Sequence, residues 1–189
     1  MSSPGTPAQM SASSGASGTP LRGRWLLAAR AVWIASAVLV LGLDIAGIPY
    51  AYAQVKSICT SAACTETFGG LTPEEVQALK EIGLSANFYA AYFVALLVVT
   101  SLAFAAVGAL IFWRKSEDRM ALFGAFMLLV FGGAAFTSDL PQALAAAHPA
   151  FWFPVYFLDY VGQVSFTIFF YLFPNGRFVP RWTRWLAIV

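Results

Sequence analysis

Ala31-Val32-Trp33-Ile34-Ala35-Ser36-Ala37-Val38-Leu39-Val40-Leu41-Gly42-Leu43 is a run without a single charge, preceded by Arg22, Arg24 and Arg30. With its flanks, Trp25 to about Ile48, it is long enough as a helix to cross ~30 Å of hydrocarbon. Arg30 can snorkel to one interface, and Trp25 suits the aromatic belt. Ala51-Tyr52-Ala53 has the form of a signal-peptidase site, which leaves a cleaved leader as the rival reading. The long tail ahead of the arginines, Asp44, and Pro49 with Tyr50 argue against it.

Three more apolar runs follow: Ala86 to Trp113, Met120 to Ser138, and Phe151 to Phe173. A fifth begins at Trp182 and reaches only Val189, which reads as a span cut short. Composition agrees. The 189 residues are 59% hydrophobic and 11% charged, against roughly 25% charged in soluble domains, so the apolar faces need lipid rather than water. The expected fold is all-α, a multi-pass transmembrane helical bundle of four complete spans plus the start of a fifth. Residues 1–21, rich in Ser, Gly, Ala, Thr and Pro and without charge, form an expected disordered cytoplasmic tail. Residues 22–189 form the transmembrane domain, truncated at its C-terminal end.

Charge placement sets the orientation. Arg22, Arg24 and Arg30, then Arg114, Lys115 and Arg119, then Arg177, Arg181 and Arg184 hold nine of the eleven basic residues and fall on one side of an alternating topology. Lys56 and Lys80 fall on the other. The excess of Lys and Arg marks the cytoplasmic side, so the N-terminus is placed there. No basic stripe with interleaved aromatics lies on a polar segment, which excludes nucleic acid as a partner.

The stretch from about Pro49 to Ser85 reads as an outer loop carrying a short helix. Thr72 is its N-cap, Pro73 its first helical residue and Glu75 the capping-box partner; Leu71 can staple to Val76, and Gly83 suits a left-handed C-cap with Leu84 folding back on Leu79. Val76, Leu79 and Ile82 make a narrow apolar stripe expected to lie on the membrane surface or on the ends of the spans. Cys59 and Cys64, the only cysteines, share this loop. An oxidising outer compartment favours a disulfide between them; free thiols and a redox pair are the alternatives. The C-x4-C spacing without partners is not a zinc pattern, and the single histidine, His148, lies in another outer loop, so no metal or other cofactor is expected.

Catalytic signatures such as HExxH, GxSxG or a Walker A loop do not occur, so no enzyme is expected. Gly132-Gly133-Ala134-Ala135 gives the third span a small-residue surface for close helix packing. Asp44 and Asp139 sit near the outer ends of spans one and three and are expected to face water or to cap neighbouring helices. Asp159 lies roughly 12 Å into the fourth span, with Gln163 at i+4 and Tyr156 and Tyr160 beside it. Acids inside a membrane are expensive, so this face is expected to look into the bundle, as an interhelical hydrogen-bonding site served by Gln163 and Ser165 or as a site for a small molecule or proton.

The most distinctive stretch is Phe169-Phe170-Tyr171-Leu172-Phe173-Pro174-Asn175-Gly176-Arg177 running on to Arg181-Trp182-Thr183-Arg184-Trp185. With the Leu71–Leu79 loop helix, the outer cysteines and the Ile111–Leu122 inner loop, it resembles the N-terminal multi-helix membrane regions of bacterial sensor histidine kinases and related multi-pass membrane proteins. The resemblance covers residues 25 to 189 and implies topology more than activity. It implies a membrane-embedded sensory, signal-input region in a bacterial inner (plasma) membrane. A cytoplasmic dimerisation and ATP-binding module would follow in such proteins. This sequence carries no phosphoacceptor His in that context and no nucleotide-binding glycine boxes, so no kinase activity is expected of it. A transporter or membrane-assembly subunit and a membrane thiol-redox protein are the other readings. Physically, Pro174-Asn175-Gly176 reverses the chain, and Arg177, Arg181, Trp182, Arg184 and Trp185 anchor it at the headgroups. The expected partner is the lipid bilayer; a homodimer stays open, and the small-molecule ligand is unknown. Reporter fusions after Arg119 and Arg184 are expected to be active in the cytoplasm and one after Gly70 to be exposed outside; the reversed pattern defeats the orientation.

Overall fold

A chain in hydrocarbon must satisfy its backbone polar groups internally, and the helix does so within one segment. The computed structural model, which describes residues 24–59 and 70–172, follows that rule: it has no strand among the described residues and only one isolated bridge, Ile58 with Leu71. Helix α1 spans Arg24–Lys56, α2 Pro73–Glu81, α3 Ala86–Lys115 and α4 Arg119–Val130. The third span continues as a π-helical segment, Phe131–Phe136. Helix α5 covers Asp139–Ala147, and a 3-10 turn at Pro149–Phe151 leads into α6, Trp152–Leu172. Among the described residues, four helical stretches are long and apolar enough to cross a membrane, Leu26–Lys56, Ala86–Lys115, Arg119–Phe136 and Pro149–Leu172, as an integral membrane protein requires. The anchor segment Arg177 to Trp185, the fifth apolar run and the N-terminal tail lie outside the described residues.

Two elements differ from the sequence reading. First, α1 does not stop at Ile48 but runs through Pro49 to Lys56. Proline has no N–H, so the carbonyl of Ile45 loses its helical partner there. Packing outweighs that loss: Ala51 and Val55, beyond the proline, are both buried. Second, the stretch between spans three and four is not a plain loop. Asp139–Ala147 is a buried helix, with Leu140, Pro141, Ala143, Leu144 and Ala145 all inside. Nine residues are too few to cross a bilayer, so α5 instead covers one half of α1.

The loop helix forms as read. Thr72 Oγ1 accepts from the Glu75 N–H at 3.2 Å, and a Glu75 carboxylate oxygen accepts from the Thr72 N–H at 2.8 Å. At the far end Gly83 takes φ +78°. Its N–H donates to Lys80 O and that of Leu84 to Leu79 O, the paired bonds of a Schellman cap. Leu71 is buried and tied by backbone hydrogen bonds to Ser57 and Cys59. The apolar stripe does not enter the core, since Val76 and Leu79 are half-buried and Ile82 is exposed.

The core is a column of three clusters. Trp33 with Ala125 and Leu129 lies at the Arg30 end. Val40, Leu43, Val130, Ala134, Leu144, Ala145, Val155 and Leu158 fill the middle. Ala51, Val94, Leu140 and Ala143 close the end that carries α2. Arg30 donates to Ser116 Oγ at 2.6 Å. That bond brings the α1 start to the α3–α4 turn, so the first two basic groups share one end of the bundle. Helix α1 meets α5 most closely at Gly47, where a Cβ would overlap the backbone carbonyl of Leu140. Gly42, by contrast, has open space around it. Gly47→Ala is therefore expected to lose about 1–3 kcal/mol by forcing the helices apart, whereas Gly42→Ala is expected to be neutral or slightly stabilising; equilibrium unfolding in detergent mixtures compares the two.

Candidate functional site

Because α1 continues to Lys56, Asp44 lies deep in the helix rather than near its end. About 18 Å of helix lie beyond it, and about 21 Å separate it from Arg30. Its side chain is 5% exposed. The expectation that Asp44 faces water or caps a neighbouring helix is thus corrected. One carboxyl oxygen, Oδ2, accepts from Ser101 Oγ of α3 at 2.5 Å. The other, Oδ1, is buried without a hydrogen-bond partner.

The third element at this point is the π segment. A Cβ at Gly133 would overlap the Val40 side chain and stand 3.3 Å from Asp44 Oδ2 and 3.6 Å from Ser101 Oγ. Only a glycine lets the third span approach the Asp44–Ser101 pair so closely. The segment is secured from its far end by Thr137, 1% exposed, whose hydroxyl lies 2.9 Å from the carbonyl oxygens of both Gly132 and Gly133. Phe131 stacks on Phe166 of α6 with ring centroids 4.1 Å apart. π-Helical turns are uncommon and recur at functional sites.

Beside Asp44 runs a narrow crevice, walled by Val40 and Leu43 of α1, Ala134, Pro141 of α5, and Val155 and Leu158 of α6. Among the described residues, Asp44 is the only charged one on its wall, and no Lys, Arg or His lines it. The space is divided among these side chains and too narrow to hold a water molecule.

The residues singled out on span four lie elsewhere. Asp159 is half-buried, whereas Gln163, Tyr156 and Tyr160 are exposed. Tyr156 packs against Trp152, centroids 5.2 Å apart, on the outer face of α6. None of the four lines the crevice. Asp139 opens α5, where a first-turn carboxylate suits the helix dipole. His148 closes α5, and its Nε2 is 2.7 Å from the Tyr50 hydroxyl of α1. Cys59 is buried; Cys64 lies outside the described residues.

The buried site was missed because its parts are far apart in sequence: Ser101 lies 57 positions after Asp44. The usable signal was Asp44 itself, an acid inside an apolar run, together with the Gly132-Gly133 pair. The geometry is a polar bond between spans one and two, with span three packed closely over it at Gly133, in an all-α membrane bundle. Comparisons of the chain with protein-family models, with curated proteins and with solved structures find no match. Ser101→Ala, which leaves the Asp44 carboxyl without its donor, is expected to lower stability by about 1–3 kcal/mol. In an Asp44→Leu background, where no acceptor remains, the same change is expected to cost less than about 0.5 kcal/mol. A double-mutant cycle on the purified protein reads the difference.

Proposed function

We propose that this chain is the membrane-embedded signal-input region of a bacterial inner-membrane sensor, non-catalytic in itself, with its N-terminus and Arg-rich loops in the cytoplasm. The observation that carries this reading is the clasp of Asp44, Ser101 and the π segment. Polar groups that deep in an apolar bundle are costly to maintain and mark function by default. Here they join spans one and two at the point where span three packs closest to them, so a change there meets three spans at once. A sensor needs such a linkage between a stimulus and its helix ends. The basic clusters at one end, and the resemblance carried by Leu172 to Trp185, support an output on the cytoplasmic side.

A transporter is the second reading, favoured by the interruption of span three at Phe131–Phe136, since transporters use broken helices at their binding sites. The crevice beside Asp44 is too narrow for a solute, which weighs against it. The test is a chromosomal Asp44→Asn replacement in the organism that encodes the chain. Transcripts are profiled under acid, osmotic and envelope stress, and membrane levels of the protein are checked in parallel. The expected result is a set of transcripts that responds in the parent and fails to respond in the variant at equal protein level. An unchanged transcript response overturns the proposal, and a solute-uptake defect in its place establishes the transporter reading.

A further inference from the structure

We infer that Asp44 is a proton-binding site, and that its neutral form is what lets the π segment of span three pack against span one. This deepens the signal-input reading, on which it rests, by naming the stimulus as proton activity. The occupant follows from the shape and chemistry around Oδ1. The described residues on the crevice wall are apolar apart from Asp44. A metal cation needs several oxygen ligands or its own waters, and the space admits no water. An ammonium group brings three donors and would find one acceptor. A proton needs one oxygen, and Oδ1 is buried with none of its bonding capacity used.

Charge bookkeeping around the carboxyl agrees. The groups that face it are the Ser101 hydroxyl from α3, Gly133 and Ala134 from the π segment, Pro141 from α5, and Val155 and Leu158 from α6. The nearest titratable groups along those elements are Asp139 on α5 and Asp159 on α6. Both are half-buried, and neither is on the crevice wall. His148 pairs with Tyr50 at the end of α5 instead. No cation balances a carboxylate at this place, and an isolated ionised carboxylate out of water costs far more than a neutral carboxyl lacking one hydrogen bond.

Release therefore requires motion. The O–H bond at Oδ1 breaks with its electron pair left on oxygen, and a water molecule takes the proton as hydronium. For water to reach Oδ1 the packing around the carboxyl must loosen, and the π segment, with Gly133 against Val40 and Ala134 on the crevice wall, is part of that packing. The π segment is the element fitted to move, because its turn is an uncommon geometry held by the Thr137 hydroxyl and by neighbouring side chains. A rise in pH then separates span three from span one, and protonation closes them.

The test uses the full chain in lipid nanodiscs. Infrared spectra are taken from about pH 5 to about pH 9, a range that includes values documented for buried carboxyls, with deuterium exchange of the amides of residues 131–137 tracked alongside. The wild type is expected to show the C=O stretch of a protonated carboxylic acid that Asp44→Asn lacks. That band is expected to be lost as the pH rises, with faster exchange of those amides over the same range. Ser101→Ala, which keeps the carboxyl and removes its donor, is expected to shift the band and so assigns it even if Asp44→Asn misfolds. A band unchanged in both variants, or one that persists across the range with constant exchange, overturns the inference. A titrating band with an intact transcript response in Asp44→Asn leaves the proton site standing and removes the signal-input reading. A lost response without a titrating band does the reverse.

Discussion

The close approach of backbones, not the burial of oil from water, holds this bundle together. Between helices in lipid there is little hydrophobic drive, because the surrounding tails are as apolar as leucine. Dispersion contacts and a few polar bonds must do the joining, and both fall off steeply with distance. At Gly47 the missing side chain lets α1 rest on the carbonyl of Leu140, and at Gly133 it lets the third span rest on Val40 and Asp44. Helix α1 is the common partner in both contacts. That placement is why a nine-residue helix, α5, can be buried at all: it fills the space that two full spans could not close around α1.

What the sequence made legible was local. Span positions came from runs of apolar residues, and the ends of α2 came from Thr72, Glu75 and Gly83, each acting within a few residues of itself. The passage of α1 through Pro49 was not legible. The local penalty for proline is plain in the sequence, but the compensating burial of Ala51 depends on Val94 of α3 and on Leu140 and Ala143 of α5. Likewise Ser138-Asp139-Leu140-Pro141 and the alanines after it are compatible with a helix start. Their burial against α1 is a tertiary fact that the local sequence does not show.

The candidate site shows the same division more sharply. Asp159 attracted notice because i and i+4 partners on one helix can be counted, yet α6 turns Tyr160 and Gln163 outward. Asp44 was undervalued because depth was measured from the wrong helix end. Once α1 reaches Lys56, the same residue sits far from either terminus, and its partner is on another span. An acid in an apolar run carries a reliable message that something must shield it. Which element does the shielding is a tertiary fact.

The π segment and the buried carboxyl depend on each other. Six residues, Phe131–Phe136, wind more loosely than an α-helix. Returning them to α geometry would rotate the Thr137 end of the span by about 100° relative to the Arg119 end, one residue's worth of turn. Either Gly133 would leave the Val40–Asp44 surface, or Thr137 would lose the two carbonyls its hydroxyl now reaches. A side chain turned toward α1 in place of Gly133 would displace Val40 or the Asp44–Ser101 bond. The looser turn is thus tolerated because it keeps a glycine, and not a side chain, opposite the one acid that the bundle fully encloses among its described residues. The looser winding is held by the Thr137 hydroxyl on the Gly132 and Gly133 carbonyls, by the packing of Gly133 on Val40 and by the stack of Phe131 on Phe166.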